Sequence, residues 1–357
     1  MAKDRIFNLQ ETKGNFQLKG IVTGTKKDDF YKEKKTKTQR DMRMVKFGAE
    51  YTGGQSMYVN LQGVANDFVY FSKRAEEKGQ PSTTEKVQWG DRFSYNREGF
   101  RLIGKNIGVK KIVDEKGNTV NAVNDKKTLT DYDACKEIAD NLKDGQSVFM
   151  RGSIDYSSFT DDKGNKITST KLVPNQVSLC ADVDFKDETF TQQNDFNQVI
   201  IFMGIEKEVD DKNVATGRFI VTAKIVTYST IEDVAFIIAN ASLANKFKKT
   251  LKPYNAIRVN GHMVMTMQTE TVQDDDEWGE ADAMERPKNP VKREFIITGA
   301  KGNTLDKETY TQELVEEAMA KIAKANKAKE DFGSDFGSAD GWGEVIEDED
   351  DDDSAWD

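Results

Sequence analysis

Two segments of the chain combine cationic and aromatic side chains, the residue types that neutralise phosphates and stack on flat rings. Residues 26–43 contain eight bases against four acids, with two aromatic residues between them. This composition suits a polyanion with unstacked bases, because mobile cations and exposed aromatic faces occur together. The alternative is a solvated, charged hairpin loop. The candidate binding residues of this segment are Phe30, Tyr31, Lys34, Lys35, Lys37, Arg40 and Arg43.

The second segment, residues 89–111, interleaves four aromatic residues with six bases, and its only acids are Asp91 and Glu98. Stacking of a base on an aromatic side chain is worth about 1–3 kcal/mol and depends little on sequence. The alternative is that several of these rings belong to a hydrophobic core. The candidate binding residues here are Trp89, Arg92, Tyr95, Arg97, Phe100, Arg101 and Lys105.

One further stacking candidate lies on a predicted strand. Residues 56–65 alternate between apolar and polar side chains, which is typical of a half-buried strand. Tyr58 falls on the polar face with Asn60 and Gln62. Its ring is therefore either a stacking surface for a base or an ordinary surface or core residue.

The residues available for catalysis are few. His262 is the single histidine, which excludes a metal site with two histidine ligands and leaves one candidate for imidazole acid–base chemistry. Cys135 and Cys180 form neither a disulfide framework nor a zinc pattern, and no glycine-rich phosphate loop is present. We therefore expect a non-enzymatic protein without a metal or cofactor. The enzymatic alternative is a nuclease that uses clustered carboxylates with magnesium.

The last 27 residues, from Asp331 to Asp357, contain twelve carboxylates and no lysine or arginine. The chain has a formal charge of −10, whereas the preceding 330 residues have 52 bases against 50 acids, a charge of +2. A block this acidic repels itself and buries little apolar surface, so we expect a disordered interaction tail. An insertion at 271–290 has a similar acidic composition.

Global features indicate the compartment. No stretch approaches the roughly 20 apolar residues of a transmembrane helix, and the N-terminus lacks the apolar core of a signal peptide. The chain has two cysteines in 357 residues. These features predict a reducing, cytoplasmic environment.

The predicted elements repeat along the chain. In each half about three strands precede a short helix and two more strands, joined by hairpins. This order is typical of the OB-fold, a five-stranded Greek-key barrel. Gly152 and Gly261 each follow a helix and a turn, where a small barrel bends sharply. We predict a mainly β protein with two tandem OB-like barrels and short helices.

The predicted domains are residues 1–187, an OB-like domain with the basic and aromatic segments; residues 188–328, a second OB-like domain with a C-terminal helix; and the tail at 329–357. Helices are predicted over 130–145, 240–254 and 305–328. Thr130 or Asp131 caps the first of these helices, and Gly145 ends it.

With paired barrels, basic-aromatic segments and an acidic tail tipped by an aromatic residue, the chain resembles single-stranded DNA-binding proteins, the phage-encoded type in particular. The resemblance covers residues 16–300 and the tail. Bacterial members usually end in Pro-Phe and carry one OB domain per chain, whereas this chain ends in Ala-Trp-Asp and has two. The tail residues that match those of the family are Asp350, Asp351, Asp352, Asp353 and Trp356.

The resemblance implies a protein that coats single-stranded DNA without strong sequence preference in replication, recombination or repair. It also implies that the tail recruits partner proteins, in the host cytoplasm if the chain is phage-encoded. From the charge distribution we expect the tail to compete with DNA for the basic grooves. The alternatives are an RNA-binding protein and a β-rich phage structural or assembly protein whose tail only solubilises it.

Overall fold

The protein is mainly β-sheet, as the sequence predicts, with a few helices. The computed structural model describes residues 5–75, 77, 80–113, 119–124, 126–160, 166–210, 212–267 and 291–331. The acidic insertion at 271–290 and the predicted tail beyond Asp331, including Asp350, Asp351, Asp352, Asp353 and Trp356, lie outside these residues.

The strands of the first half are β1 (Gly14–Thr23), β2 (Tyr31–Lys35), β3 (Asp41–Thr52), β4 (Gln55–Val64), β5 (Phe68–Lys73), β6 (Thr83–Gln88), β7 (Phe100–Leu102), β8 (Lys105–Gly108), β9 (Lys111–Val113), β10 (Thr119–Asn124), β11 (Lys127–Leu129), β12 (Ser147–Thr160) and β13 (Lys166–Leu179). The second half contains β14 (Asn194–Val209), β15 (Ala215–Val226), β16 (Ile231–Ile238), β17 (Asn255–Met267) and β18 (Val291–Asp306). The helices are α1 (Asp131–Asn141), α2 (Ala241–Thr250) and α3 (Gln312–Asp331).

The second half forms a closed five-stranded barrel, which we call barrel 2. Strand β14 pairs antiparallel with β15 and β17, β15 pairs with β16, and β17 pairs with β18. Strand β18 closes the barrel by running parallel to β16, where Ile237 faces Ile296. Helix α2 follows the third strand of this barrel. The predicted OB-type order of strands is therefore confirmed.

The first half, barrel 1, repeats this order with an addition. Strand β1 pairs with β3 and β12, β3 with β4, and β12 with β13. Between β4 and α1 the chain inserts residues 65–130, which we call the insertion. Its strand β8 runs parallel to β13. Strands β5, β6 and β7 form a separate sheet with β5 in the centre, which we call the insertion sheet.

The two barrels are joined through their first strands. Strands β1 and β14 run antiparallel, with Phe16 opposite Phe196. On its other edge Phe16 faces Gly152, and Phe196 likewise faces Gly261. The two glycines therefore hold equivalent places, each beside a shift in strand register. This equivalence confirms the duplication that the sequence indicated.

The helices differ from their predicted limits. Thr130 caps α1 as predicted, since its hydroxyl accepts a hydrogen bond from the Asp133 N–H at 3.1 Å. The helix ends at Asn141 rather than Gly145, because the next residue, Leu142, turns into an extended conformation and is buried in the core. Helix α3 begins at Gln312 rather than 305, because residues 305 and 306 still belong to β18.

The sequence alternation also predicts a strand over 167–185, but β13 ends at Leu179, where the chain leaves the ladder. The basic and aromatic stretch 92–113 contains the strands β7, β8 and β9. The alternation in β4 is confirmed, since Met57, Val59 and Leu61 are all buried.

Each barrel extends a hairpin over the other. From the β12–β13 hairpin of barrel 1, the Thr168 hydroxyl donates to the Asp233 carbonyl on β16 at 3.1 Å. In return, Arg293 on β18 of barrel 2 donates to the Tyr58 carbonyl on β4 at 3.2 Å and to the Thr170 carbonyl at 2.9 Å. The exchange fixes the two barrels against each other and covers part of their outer surfaces.

The N-terminal segment crosses to barrel 2. Phe7 and Leu9 pack in a buried cluster with Val315 and Ala318 of α3. Arg5 donates to the Thr227 carbonyl at 2.6 Å. The predicted domain limits therefore divide the strands of the two barrels but not this segment, and they remain predictions.

Candidate nucleic-acid interface

Strands β2, β3 and β4 form a sheet whose outward side carries lysine, methionine and polar side chains. The register places Lys32 opposite Met44 and Lys46 opposite Asn60. Directly opposed side chains point to the same side of a sheet, and the neighbouring Val45 is buried on the opposite side. We call this surface the barrel 1 outer face. It consists of Lys32, Lys34, Met42, Met44, Lys46, Tyr58, Asn60 and Gln62.

Tyr58 provides an exposed aromatic ring on the barrel 1 outer face, with 36% of its surface accessible. The Lys27 ammonium lies 5.3 Å from the ring centroid and donates to the hydroxyl at 3.4 Å. Gly48 lies opposite on β3, and a Cβ there would approach the ring at 3.3 Å. The ring therefore lies close over the glycine, beside a cation. The exposed ring can stack on a base while the cation pairs with its phosphate.

Lys46, on the barrel 1 outer face, forms an ion pair with Asp29. Its ammonium lies 3.0 Å from the Asp29 carboxylate, and about half of each side chain is exposed. The hydrogen bond from Lys46 lowers the pKa of Asp29, which keeps that carboxyl ionised at neutral pH. An exposed pair of this kind contributes little to stability, so a phosphate can replace the carboxylate as the partner of Lys46.

Three of the residues predicted from the segment 26–43 do not belong to the barrel 1 outer face. Phe30 is buried in the core. The Tyr31 hydroxyl donates to Glu33, and burial raises the Tyr31 pKa. The Arg43 guanidinium lies 3.9 Å from the Tyr132 ring centroid on α1 and 3.1 Å from the Glu33 carboxylate. Tyr31 and Arg43 therefore lie on the side of the sheet that faces α1.

The remaining predicted residues of this segment lie on β2 or in the turn between β2 and β3. Lys34 belongs to the barrel 1 outer face. Lys35 lies 2.8 Å from Asp41, and the hydrogen bond to Asp41 raises the Lys35 pKa. Arg40 reaches the start of the insertion, with its guanidinium 3.2 Å from the Asp67 carboxylate. Lys37 is exposed in the turn between β2 and β3. The turn therefore brings cations to the boundary between barrel 1 and the insertion.

Arg92 connects the insertion to helix α1. Its guanidinium forms two hydrogen bonds with the Asp133 carboxylate, at 2.8 and 3.0 Å, and both side chains are largely buried. The guanidinium also lies 4.3 Å from the Trp89 ring centroid, and the Trp89 ring packs edge-on against Tyr132. These contacts place Trp89 and Arg92 in a structural junction.

Other predicted residues form the small core of the insertion sheet or its margin. Tyr95 packs on Phe71 with ring centroids 4.4 Å apart. The Tyr95 hydroxyl and the Arg97 guanidinium both bind Glu85. Phe100 packs on the same buried cluster. Lys105, at the base of the insertion, donates to the Asn175 side chain at 2.7 Å. Arg101 differs from these residues because it lies on the exposed side of the sheet.

The sequence analysis did not predict Lys46 or Lys32 as binding residues. Lys32 is one of the eight bases in residues 26–43, whereas Lys46 lies outside that segment. Lys46 alternates with Val45 and Phe47 on β3, so a parity argument of the kind applied to β4 finds it. Lys32 needs the register between β2 and β3, which the sequence alone does not determine. The barrel 1 outer face therefore emerges from strand pairing rather than from local composition.

The equivalent surface of barrel 2 differs in charge. Lys224 on β15 lies opposite Asp233 on β16, and the two side chains form an ion pair at 2.7 Å. Thr222 and Ala235 occupy the next row, with no aromatic ring. The β12–β13 hairpin also contacts this strand through Thr168. This surface lacks the group of outward lysines, Lys32, Lys34 and Lys46, that barrel 1 carries.

The described residues contain no group of three or more histidine, cysteine, aspartate or glutamate side chains placed to hold a metal ion. His262 lies 2.9 Å from Asp195 on a neighbouring strand. Cys135 is buried, and burial raises its thiol pKa to about 12. Within the described part of the chain, no helix has the length and apolar character that a membrane crossing needs.

In the described residues these features define two fused β-barrels, and barrel 1 carries a cationic outer face. The YorF family model matches residues 74–335, and the chain belongs to the YorF family. The match begins after the strands of the barrel 1 outer face and includes all of barrel 2 and most of the insertion. No curated protein matches the chain.

Solved structures similar to this chain include the wild-type single-stranded DNA-binding protein from Thermus aquaticus. It has a TM-score of 0.37 and 9% sequence identity, over 82% of this chain and 93% of that chain. A deletion mutant of the same Thermus aquaticus protein gives a TM-score of 0.36 and 9% identity, over 82% and 94%. A likeness of this size does not identify a ligand or a binding residue.

Proposed function

We propose that this protein binds single-stranded DNA along the barrel 1 outer face. The observation that carries the proposal is the grouping of Lys32, Lys34 and Lys46 with the exposed Tyr58 ring on one open sheet face. The lysines pair with phosphates, and Tyr58 stacks on a base. The protein acts by binding rather than catalysis and coats the strand without strong sequence preference.

The chemistry of the face favours a single strand over a duplex. Stacking on Tyr58 requires a base that is free of its partner and can approach the ring face. A duplex presents only phosphates to a flat sheet of this kind, which leaves the ring without a ligand. Because every base has a flat aromatic surface, one tyrosine gives affinity without base selection.

The test is the Tyr58→Ala variant, titrated with fluorescently labelled oligo(dT). Loss of one stacking contact lowers affinity roughly tenfold, whereas Tyr58→Phe retains the ring and the affinity. Tyr228→Ala is the matched control, because Tyr228 is 55% exposed on barrel 2. Unchanged affinity in Tyr58→Ala contradicts the proposed site. Wild-type binding that favours RNA or duplex DNA over oligo(dT) contradicts the proposed ligand.

The acidic tail provides a second level to this proposal. Its twelve carboxylates compete with DNA for the lysines of barrel 1, and its end binds replication, recombination or repair proteins through Asp350, Asp351, Asp352, Asp353 and Trp356. Deletion of residues 331–357 therefore increases DNA affinity, most strongly at low salt, where charge interactions are least screened. Equal affinities of the full-length and truncated chains in dilute buffer contradict the competition.

A further inference from the structure

The insertion sheet has one buried and one exposed face. Its buried face consists of Val69, Phe71 and Val87, which form their own small core. By the alternation of strand residues, Tyr70 on the central strand points to the opposite side. Tyr70 is 50% exposed, as expected from this position. This second face takes no part in the core of the insertion.

The register places cations next to Tyr70. Lys86 lies directly opposite it on β6, and Arg101 lies opposite the adjacent Ser72 on β7. Both cationic residues are exposed. The Lys86 ammonium also lies 3.6 Å from the ring centroid of Phe68. Two aromatic rings and two cations therefore share one sheet surface.

We call this surface the insertion outer face. It also includes Ile103, which is 57% exposed and donates its N–H to the Tyr70 carbonyl at 2.8 Å. The described members of the insertion outer face include no carboxylate: Phe68, Tyr70, Ser72, Thr84, Lys86, Gln88, Arg101 and Ile103. The net positive charge favours a polyanion as the occupant, and the exposed rings favour one with unstacked bases.

The insertion sheet directly follows the sheet of the barrel 1 outer face in the chain. Strand β4 ends at Val64 and β5 begins at Phe68, so three residues separate the two sheets. Arg40 lies in the turn that follows β2, and its guanidinium donates to the side chains of Asn66 and Asp67 within this connection. A nucleic-acid strand that leaves the barrel 1 outer face near the end of β4 would meet Arg40 at the connection and then the insertion sheet.

We infer that the insertion outer face is a second binding site for single-stranded nucleic acid, with Tyr70 as its stacking residue. Lys86 and Arg101 neutralise phosphates on either side of the ring. This site extends the path of a strand bound on the barrel 1 outer face, so the inference rests on the proposed function. The insertion thus lengthens the binding path of one OB-type barrel.

The test compares short and long oligo(dT) in two variants, Tyr70→Ala and the double substitution Lys86→Ala with Arg101→Ala. A strand of about 8 nucleotides lies within the roughly 4–16 that one OB barrel covers, and one of about 30 reaches beyond it. Wild type binds the long strand more tightly. Tyr70→Ala reduces long-strand affinity roughly tenfold and leaves short-strand affinity unchanged. The double variant lowers the salt slope for the long strand by about 1.4.

Tyr228→Ala again serves as the control for an exposed tyrosine, and thermal unfolding confirms that each variant remains folded. If both variants bind the long strand as tightly as wild type does, the inference is overturned. Binding of the short strand by wild type would still uphold the proposed function. Failure of wild type to bind either strand contradicts the proposed function and the inference together. A loss of short-strand affinity in Tyr70→Ala also overturns the inference, because the two faces then act as one site.

Discussion

The outer faces of the two barrels carry different chemistry on the same arrangement of strands. Within the described residues, Lys32 and Lys34 of barrel 1 have no carboxylate partner, whereas Lys224 of barrel 2 is paired with Asp233. Barrel 1 presents Tyr58, and barrel 2 has Thr222 and Ala235 in its corresponding central rows. The comparison shows that a duplicated framework does not imply a duplicated site, since function depends on the residues grafted on the fold.

Removal of the charges of Lys32, Lys34 and Lys46 has the largest expected effect on the difference between the two barrels. The triple variant Lys32→Gln, Lys34→Gln and Lys46→Gln lowers affinity for oligo(dT) by roughly a hundredfold at low salt and reduces the salt slope by about 2. The matched substitution Lys224→Gln on barrel 2 leaves both quantities near wild type. Fluorescence anisotropy across a salt series measures them. Equal losses in the two variants contradict the assignment of the site to barrel 1.

Substitution of the equivalent glycines Gly152 and Gly261 should destabilise the two barrels alike, although their outer faces differ. A Cβ on Gly152 would collide with the Val173 carbonyl, and one on Gly261 with the Ile296 carbonyl. Each substitution to alanine therefore lowers the free energy of unfolding by about 1–3 kcal/mol. Chemical denaturation measures the change. Gly302→Ala is the control, because a Cβ there meets nothing within 4 Å. Destabilisation at only one glycine contradicts their equivalence.

The smallest expected effect concerns the ion pair on the barrel 1 outer face. Asp29→Asn removes the carboxylate that faces Lys46, so affinity for oligo(dT) rises a few-fold and the salt slope steepens by about 0.7. Asp233→Asn in barrel 2 leaves affinity unchanged. An unchanged or lower affinity of Asp29→Asn contradicts a contact between Lys46 and the DNA.

The pH dependence of this pair follows from its direction of shift. The Asp29 pKa lies below its ordinary value in the folded protein because of the hydrogen bond from Lys46. The contribution of the pair to stability is therefore complete above the unfolded-state pKa and is lost as the pH falls through the lowered folded-state pKa. Around neutral pH, Asp29 stays ionised, and DNA affinity changes little through this group.

Much of the framework could be predicted from local patterns. The alternation in β4, the Thr130 cap and the two equivalent glycines depend on neighbouring residues, and all three agree with the structure. The site was less predictable because its members come from three strands. Tyr31 and Lys32 are adjacent in sequence, so strand alternation sends them to opposite sides of the sheet, and the pairing of β2 with β3 decides which of them lies on the outer side.

Composition also failed to separate binding residues from structural ones in the insertion. Arg92 and Arg101 occur in the same basic-aromatic segment. Arg92 is held by Asp133 at the junction with α1, whereas Arg101 lies on an exposed strand face. The difference depends on a helix 41 residues away in sequence from Arg92. A charge count over a segment cannot contain that information.

Photocrosslinking of oligo(dT) that carries a photoreactive thymine analogue, followed by peptide mapping, tests the central claim most directly. The account predicts crosslinks at Tyr58 and elsewhere on β3 and β4, with none on β15 or β16. Salt that displaces the strand abolishes them. Crosslinks confined to β15 and β16 of barrel 2 contradict the account, because the DNA would then bind the face that lacks Lys32, Lys34 and Lys46.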